Sequence, residues 1–385
     1  MSFESLGLPH YLLETIQKQG YDKTYPIQDE AIPAILNGKD VLGIAPTGSG
    51  KTASYVLPAL MNLQRKKDLR NRHIEVLVLV PTRELAAQVA EVFQVFSEKL
   101  PDPVKTLAVF GGVSINPQML AIQGVRIMVA TPGRLLELIE SNAVHITDLK
   151  TLILDEADKM LNLGFKMQMK RIFELLPQKR QNLLFSATLS DDVTKISTIL
   201  LDDPLVIKLG VKEYDLDLIK QSSFLVSEDK KGPLLRYLIK HHNMQQVLVF
   251  TSSTFKADSV VNKLNKNGID AEAIHGNKSQ HARTEVLRQF KSGELRVLVT
   301  TDLLARGIDI EFLPHVINYE LPRSPKDYIH RIGRTGRAES PGEAISIVSY
   351  NELQHFQVIQ KKMGIEVPMK ESLEGIDLFG NNPNA

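Results

Sequence analysis

Two short stretches hold residues that could do chemistry together. The first is Ala45-Pro-Thr-Gly-Ser-Gly-Lys-Thr52, between the apolar run "VLGIA" (41–45) and a helical pattern. It fits a phosphate-binding loop, with the small Ala45 at the place of the first glycine. Gly48 and Gly50 let the backbone curl so that several N–H groups face one anion, with Thr47 and Ser49 completing the loop. The positive N-terminal end of the following helix adds to the attraction. Lys51 is placed to reach β- and γ-phosphates, and the Thr52 hydroxyl to bind Mg²⁺. A glycine turn that happens to precede Lys-Thr is the plainer alternative.

The second stretch, "LILDEAD", puts Asp155 and Glu156 directly after four apolar residues. Adjacent acids in a loop are usually just solvated. At the end of an apolar strand, in a chain that also has a phosphate loop, they match the carboxylates that a Mg²⁺–nucleotide site needs. Asp155 would hold Mg²⁺ through water, and Glu156 would orient or deprotonate the attacking water.

These residues need a scaffold. The first half alternates helical patterns with the runs 41–45, "EVLVLVP" (75–81), "KTLAVF" (105–110), "RIMVAT" (126–131), "TLILDEAD" (151–158) and "NLLFSAT" (182–188). The runs are continuously apolar, as parallel strands buried on both faces are. Leu85, Val89, Phe93 and Phe96 form one helical stripe. The second half repeats the style at 222–227, 246–252, 271–276, 296–302, 315–320 and 343–349. Strands alternating with helices throughout predict two α/β domains. We place them at 1–208 and 221–370, with a polar linker at 209–220 and a disordered tail at 371–385.

Composition narrows the possibilities. The 385 residues suit two domains, and the net charge of +1 offers no global attraction for a nucleic acid, which would need a local basic surface. With no cysteine, disulfides, thiolate metal sites and cysteine nucleophiles are excluded. The N-terminus lacks a signal-peptide pattern, and no apolar run approaches the ~20 residues of a membrane span. A cytoplasmic protein without membrane contact is the expectation.

The remaining motifs carry a resemblance. "YPIQ", "APTGSGKT", "PTREL", "GG", "TPGR", "DEAD", "SAT", "VLVFTSS", "TTDLLARGIDI" and "HRIGRTGR" occur in the order seen in DEAD-box RNA helicases, which the chain resembles from Phe3 to about residue 365. The segment "LPHVINYELPRSPKDYIHRIGRTGRA" looks most like the bacterial RhlE-type branch. The resemblance implies two tandem RecA-like domains, each a mostly parallel sheet flanked by helices. It implies ATP with Mg²⁺ as cofactors and largely sequence-independent RNA, single-stranded or short duplex, as partner. RNA–protein complexes are possible targets, and a monomer is expected.

The resemblance also assigns residues. Tyr21 would stack on adenine, with Phe3 as an outlying aromatic, and Gln28 would bond the Hoogsteen edge of the base. Asp309 would hold the ribose. Arg334 and Arg337 would reach the γ-phosphate across the cleft between the domains, so the ATP site would be split and hydrolysis would require closure. RNA contacts are implied at Arg83, Gly112, Thr131 and Arg134 in the first half, and at Thr251, Gly276, Arg283 and Thr301 in the second. Such residues suit the sugar–phosphate backbone, which carries no base sequence. Ser186, Thr188 and His330 would couple the two activities. Thr24 and Tyr25 depart from the family pattern, which has Pro and a small residue there. The residues alone leave open a DNA substrate or an RNA clamp that does not unwind. A P-loop kinase would leave the second domain and "GRTGR" unexplained.

Overall fold

The computed structural model describes every residue except 1, 47, 64–70, 103, 210–218, 303–312, 337–341 and 371–385. The chain divides into two compact units, Met1–Val211 and Lys212–Ala385. In the first, β1 (Val41–Ile44), β2 (Val76–Leu79), β3 (Lys105–Val109), β4 (Val125–Ala130), β5 (Thr151–Leu154), β6 (Gln181–Ser186) and β7 (Leu205–Lys208) form a sheet. Among the described residues its order is β3-β4-β2-β5-β6-β1-β7, and every pairing is parallel. The second unit holds β8 (Ile219–Val226), β9 (Val247–Thr251), β10 (Ala271–Ile274), β11 (Val297–Thr301), β12 (His315–Asn318), β13 (Gly342–Ser349) and β14 (Met369–Lys370). Its order is β10-β11-β9-β12-β13-β8-β14, again all parallel.

Alternate residues of one strand enter different cores. Val76 and Val78 pack with Ile127, Val129 and Ile153 on one face of the first sheet. Leu77 and Leu79 pack with Met128, Ala130, Leu152 and Leu154 on the other. Val247 and Val249 face one core of the second unit and Leu248 and Phe250 another. Helices cover both faces, so neither side of a strand needs polar residues. The continuous apolar runs follow from this.

Three expectations change in detail. The run "TLILDEAD" is strand only to Leu154, and the helix Ala157–Asn162 claims its end, so Asp155 and Glu156 stand in the turn between. The edge strands β7 and β14 were not anticipated. Of the linker expected over 209–220, Ile219 and Lys220 belong to β8, while 210–218 and the tail at 371–385 lie outside the described residues.

Hydroxyl caps start several helices that carry motif residues. Thr82 accepts from Leu85 N at the start of Arg83–Ser97, Ser279 from Ala282 N before Gln280–Ser292, and Ser324 from Asp327 N before Pro325–Ile332. Each such cap contributes about 1 kcal/mol and fixes where its helix begins.

Gly43 of β1 permits a close approach. A Cβ there would lie 2.6 Å from Cδ1 of the buried Phe185, whose ring packs against Tyr55 with centroids 5.4 Å apart. Gly43→Ala is therefore expected to destabilise the first unit by about 1–3 kcal/mol through overpacking. The urea midpoint of its unfolding checks this, and an unchanged midpoint would contradict the packing described.

Candidate active site

The phosphate loop leaves the C-terminal end of β1, where open parallel sheets place their ligands. Gly48 (φ 75°) and Gly50 (φ 87°) adopt left-handed backbone, which glycine enters without a Cβ penalty. Lys51 opens the helix Lys51–Leu63 and is buried. Its Nζ donates to the carbonyls of Ala45 (2.6 Å) and Pro46 (2.8 Å), and Ser49 Oγ donates to Pro46 O (2.8 Å). Burial lowers the pKa of Lys51, and the charges of Asp155 and Glu156 oppose that shift. Thr52 is half-buried beside it, and Thr47 lies outside the described residues.

Asp155 stands at the end of β5, 3% exposed. Its Oδ2 accepts the Tyr55 hydroxyl at 2.8 Å and its Oδ1 accepts the Glu156 amide at 2.9 Å. Tyr55 lies one helical turn after Lys51 and Thr52, on the same helix face. Burial, and then the neighbouring Asp155, push its phenol well above the ordinary range. Burial also raises Asp155, against the opposing charge of Lys51. Glu156 is a non-glycine residue in left-handed backbone (φ 55°, ψ 46°), which costs of order 1–3 kcal/mol and is typical of functional turns. Its Oε1 accepts from Lys159 Nζ at 2.5 Å, while its Oε2 is buried without a hydrogen-bond partner. Burial raises its pKa, opposed first by Lys159.

The donor set fits a magnesium–nucleotide site. Thr52 and Asp155 supply hard oxygens, the ligands Mg²⁺ takes, and the unpartnered Oε2 of Glu156 fits a group that positions a water. When bound, the ion would neutralise charge on phosphate oxygens.

The expected base segment touches this loop. Gln28 is buried; its Oε1 accepts from Tyr25 N (2.9 Å) and its Nε2 donates to Gly50 O (3.2 Å). The amide expected to read a base edge is thus tied to the loop expected to take the phosphates. Phe3 stacks on Tyr21 with centroids 6.4 Å apart, and Tyr21 packs on Phe96 at 6.1 Å. Tyr21 keeps 42% of its surface exposed.

A link runs from β6 to the acids. Ser186 Oγ donates to Thr188 O (2.8 Å), and Thr188 Oγ1 donates to Asp158 Oδ2 (2.8 Å), on the helix that starts at Ala157.

The expected RNA residues of this unit gather along the other half of the same sheet edge, after β2, β3 and β4. A Cβ on Gly112 (φ 73°) would lie 1.8 Å from Arg83 Nη2, so the guanidinium rests directly on this glycine. Arg134, 5% exposed, donates from Nη2 to Val113 O (2.8 Å) and from Nε to Glu137 Oε2 (2.8 Å). Thr131 N donates to Val109 O (3.1 Å), and Gln118 braces the preceding turn through both backbone groups of Phe110.

In the second unit, Thr251 ends β9 in register with Thr301 of β11, and Gly276 follows β10, a neighbour of β11. Arg283 is buried in the first turn of Gln280–Ser292. Arg331 is 2% exposed. It pairs with both Asp302 oxygens (2.5 and 2.8 Å), donates to Asn318 Oδ1 (3.1 Å) and Glu320 O (2.6 Å), and lies 4.9 Å over the Phe250 ring. Arg334 is 8% exposed, with its carbonyl accepting from Leu313 N. His330 precedes Arg331 on the helix Pro325–Ile332. Asp309 and Arg337 lie outside the described residues.

Residues 25–196 match the DEAD/DEAH box helicase family, and 230–339 the helicase conserved C-terminal domain. A DEAD-box ATP-dependent RNA helicase CshA of Streptococcus pneumoniae is 42% identical over 361 residues, which is 94% of this chain and 68% of that protein. The chain belongs to the DEAD-box family. The Geobacillus kaustophilus CshA is 37% identical over 97% of this chain and 80% of its own. Among DEAD-box structures, Saccharomyces cerevisiae Dbp5 bound to RNA and ADP BeF3 aligns with a TM-score of 0.81 and 30% identity, covering 96% of this chain and 95% of that one. A DEAD box protein of the hyperthermophile Methanococcus jannaschii aligns at 0.53 and 36% identity, covering 96% and 99%. These likenesses establish the tandem RecA-like fold. The bacterial relatives compared carry the CshA name and not that of the RhlE-type branch, whose assignment they do not confirm.

Sequence reasoning passed over Tyr55 and Lys159 of this DEAD-box site. Both could have been found from helical spacing, since Tyr55 is three residues after Thr52 and Lys159 three after Glu156. The role of Arg331 within its own unit was not anticipated either. Arg331→Met leaves Asp302 without its bidentate partner and is expected to lower the stability of the second unit by about 3 kcal/mol. That is the low end for breaking a buried pair, because Asp302 keeps 29% exposure. Denaturant unfolding measures it, and wild-type stability would exclude the bracing role.

Proposed function

We propose that the chain is an RNA-dependent ATPase that uses Mg²⁺–ATP hydrolysis to separate short RNA duplexes and remodel RNA or RNA–protein complexes. One observation carries the ATPase reading: the buried Lys51, Tyr55 and Asp155 and the largely buried Glu156 are brought together at the C-terminal ends of β1 and β5. Lys51 binds the phosphates, Asp155 and Thr52 hold Mg²⁺, and Glu156 orients the attacking water. Tyr55 fixes Asp155. Arg334 and Arg337 offset charge that develops on the transferred phosphoryl group, an effect worth about 10³–10⁵ in rate in related hydrolases. Tyr21, with Phe3 behind it, and Gln28 select adenine, and Asp309 holds the ribose.

RNA as the partner is supported by the second cluster on that sheet edge, where Arg83, Gly112, Thr131 and Arg134 present a guanidinium, a bare backbone turn and a hydroxyl. These bind sugar and phosphate without reading sequence. Thr251, Gly276, Arg283 and Thr301 play the same part in the second unit. Thr188 and Ser186 relay between the clusters through Asp158, and His330 assists in the second unit. ATP and RNA then tighten each other by the same factor. No described helix is long and apolar enough to cross a membrane. The cytoplasm and a monomeric state are part of this proposal.

Two substitutions test it. Lys51→Ala should abolish ATP binding and RNA-stimulated hydrolysis, read by calorimetry and phosphate release; retained turnover would remove the phosphate-loop assignment. Glu156→Gln should bind ATP and RNA normally while hydrolysis falls about 10²-fold or more. Lost ATP binding in that variant would contradict its water-positioning role.

A further inference from the structure

Tyr55 carries one atom more than its packing needs. Its ring is fully buried, with centroids 5.4 Å from Phe185 and 6.4 Å from Phe93. A phenylalanine would fill that space and bring no polar group into the core, whereas a buried hydroxyl costs stability unless it is hydrogen-bonded. What the hydroxyl meets is the pair of residues whose oxygens suit Mg²⁺. It donates to Asp155 Oδ2 at 2.8 Å, and the Thr52 hydroxyl interacts with the same phenol oxygen.

This contact changes what Asp155 has left to offer. Each carboxylate oxygen has about two acceptor sites. Tyr55 takes one on Oδ2, and the Glu156 amide takes one on Oδ1 at 2.9 Å. Both donors are fixed, one by aromatic packing and the other by the backbone. With both oxygens engaged, Asp155 is well placed to accept from water and poorly placed to give both oxygens to one ion. Divalent cations differ in what they ask of a carboxylate. Mg²⁺ keeps several of its waters and needs about one or two carboxylates, while the larger Ca²⁺ takes about six to eight oxygens and uses bidentate carboxylates.

We propose that Tyr55 is a positioning residue that sets the cation preference of the site: by holding Asp155 Oδ2 it favours Mg²⁺ over larger divalent ions such as Ca²⁺. The proposal deepens the Mg²⁺–nucleotide reading given above and rests on it. Tyr55 acts through the carboxylate, so its hydroxyl and not its ring carries the effect.

The test titrates the full chain by calorimetry with adenylyl imidodiphosphate, a non-hydrolysable ATP analogue, in Mg²⁺, in Ca²⁺ and in EDTA. The readout is the ratio of the Ca²⁺ to the Mg²⁺ dissociation constant, because damage to the phosphate loop alone would weaken both together. In Tyr55→Phe this ratio should fall about fivefold to tenfold, the scale of one hydrogen bond to a carboxylate. A ratio that stays the same or rises would overturn the proposal. Thermal unfolding of the variant is measured alongside. If Tyr55→Phe is not folded at the working temperature, 3-fluorotyrosine at position 55 decides instead, since its more acidic hydroxyl is a stronger donor in nearly the same volume. There the ratio should rise, and an unchanged ratio would overturn the proposal. The parent protein separates the two levels. If it binds the analogue no more tightly in Mg²⁺ than in EDTA, the metal reading of Thr52 and Asp155 fails. If Mg²⁺ tightens binding in the parent and the ratio stands still in Tyr55→Phe, only the role of Tyr55 fails.

Discussion

The site depends on holding carboxylates and an ammonium together out of water. Asp155 and Lys51 are buried and Glu156 is largely so, and burial works against each charge. The acids are tolerable because cations and a donor face them, although the charge of Asp155 works against that of Glu156. Lys51 offsets the two acids, Lys159 pairs with Glu156, and Tyr55 donates to Asp155. The sheet order makes this arrangement available, because β6 alone separates β5 from β1, so the turn after one strand and the loop after the other are near neighbours. The packing of Phe185 between Gly43 and Tyr55 then sets where the Tyr55 hydroxyl arrives.

Much of this was legible in the sequence, for a physical reason. Strands buried on both faces must be continuously apolar, so most core strands showed as runs with boundaries close to those observed. Phosphate loops need glycine at φ values other residues resist, so Gly48 and Gly50 marked themselves. What stayed hidden depended on contacts between distant segments. β7, "LVIK", is an edge strand with only Ile207 buried, so it lacks the apolar run of its neighbours. β14 has two residues. Arg331 reads as one of three similar arginines until its partners Asp302, Asn318 and Glu320 are brought around it. The close contact of Arg83 with Gly112 likewise joins residues from two different strand ends.

The first unit's sheet edge carries two groups of residues. The ends of β1, β5 and β6 carry the phosphate loop, the acids and Ser186, while those of β2, β3 and β4 carry Arg83, Gly112, Thr131 and Arg134. β2 and β5 are adjacent, so the division falls between neighbouring strands of one rigid layer. The turn at Glu156, in a costly backbone conformation, is tied to the end of β6 by the hydrogen bond from Thr188 to Asp158.

The position of β1 has a consequence for how the protein is made. β1 comprises residues 41–44, yet its sheet partners are β6 at 181–186 and β7 at 205–208. A nascent chain displays the strand that will support the phosphate loop long before either partner leaves the ribosome. At about 5–20 residues per second the wait is on the order of ten to thirty seconds. For that time an apolar strand and a glycine-rich loop have no sheet to join. The first unit therefore acquires its nucleotide site late in its own synthesis, and until then that strand is a natural target for a chaperone.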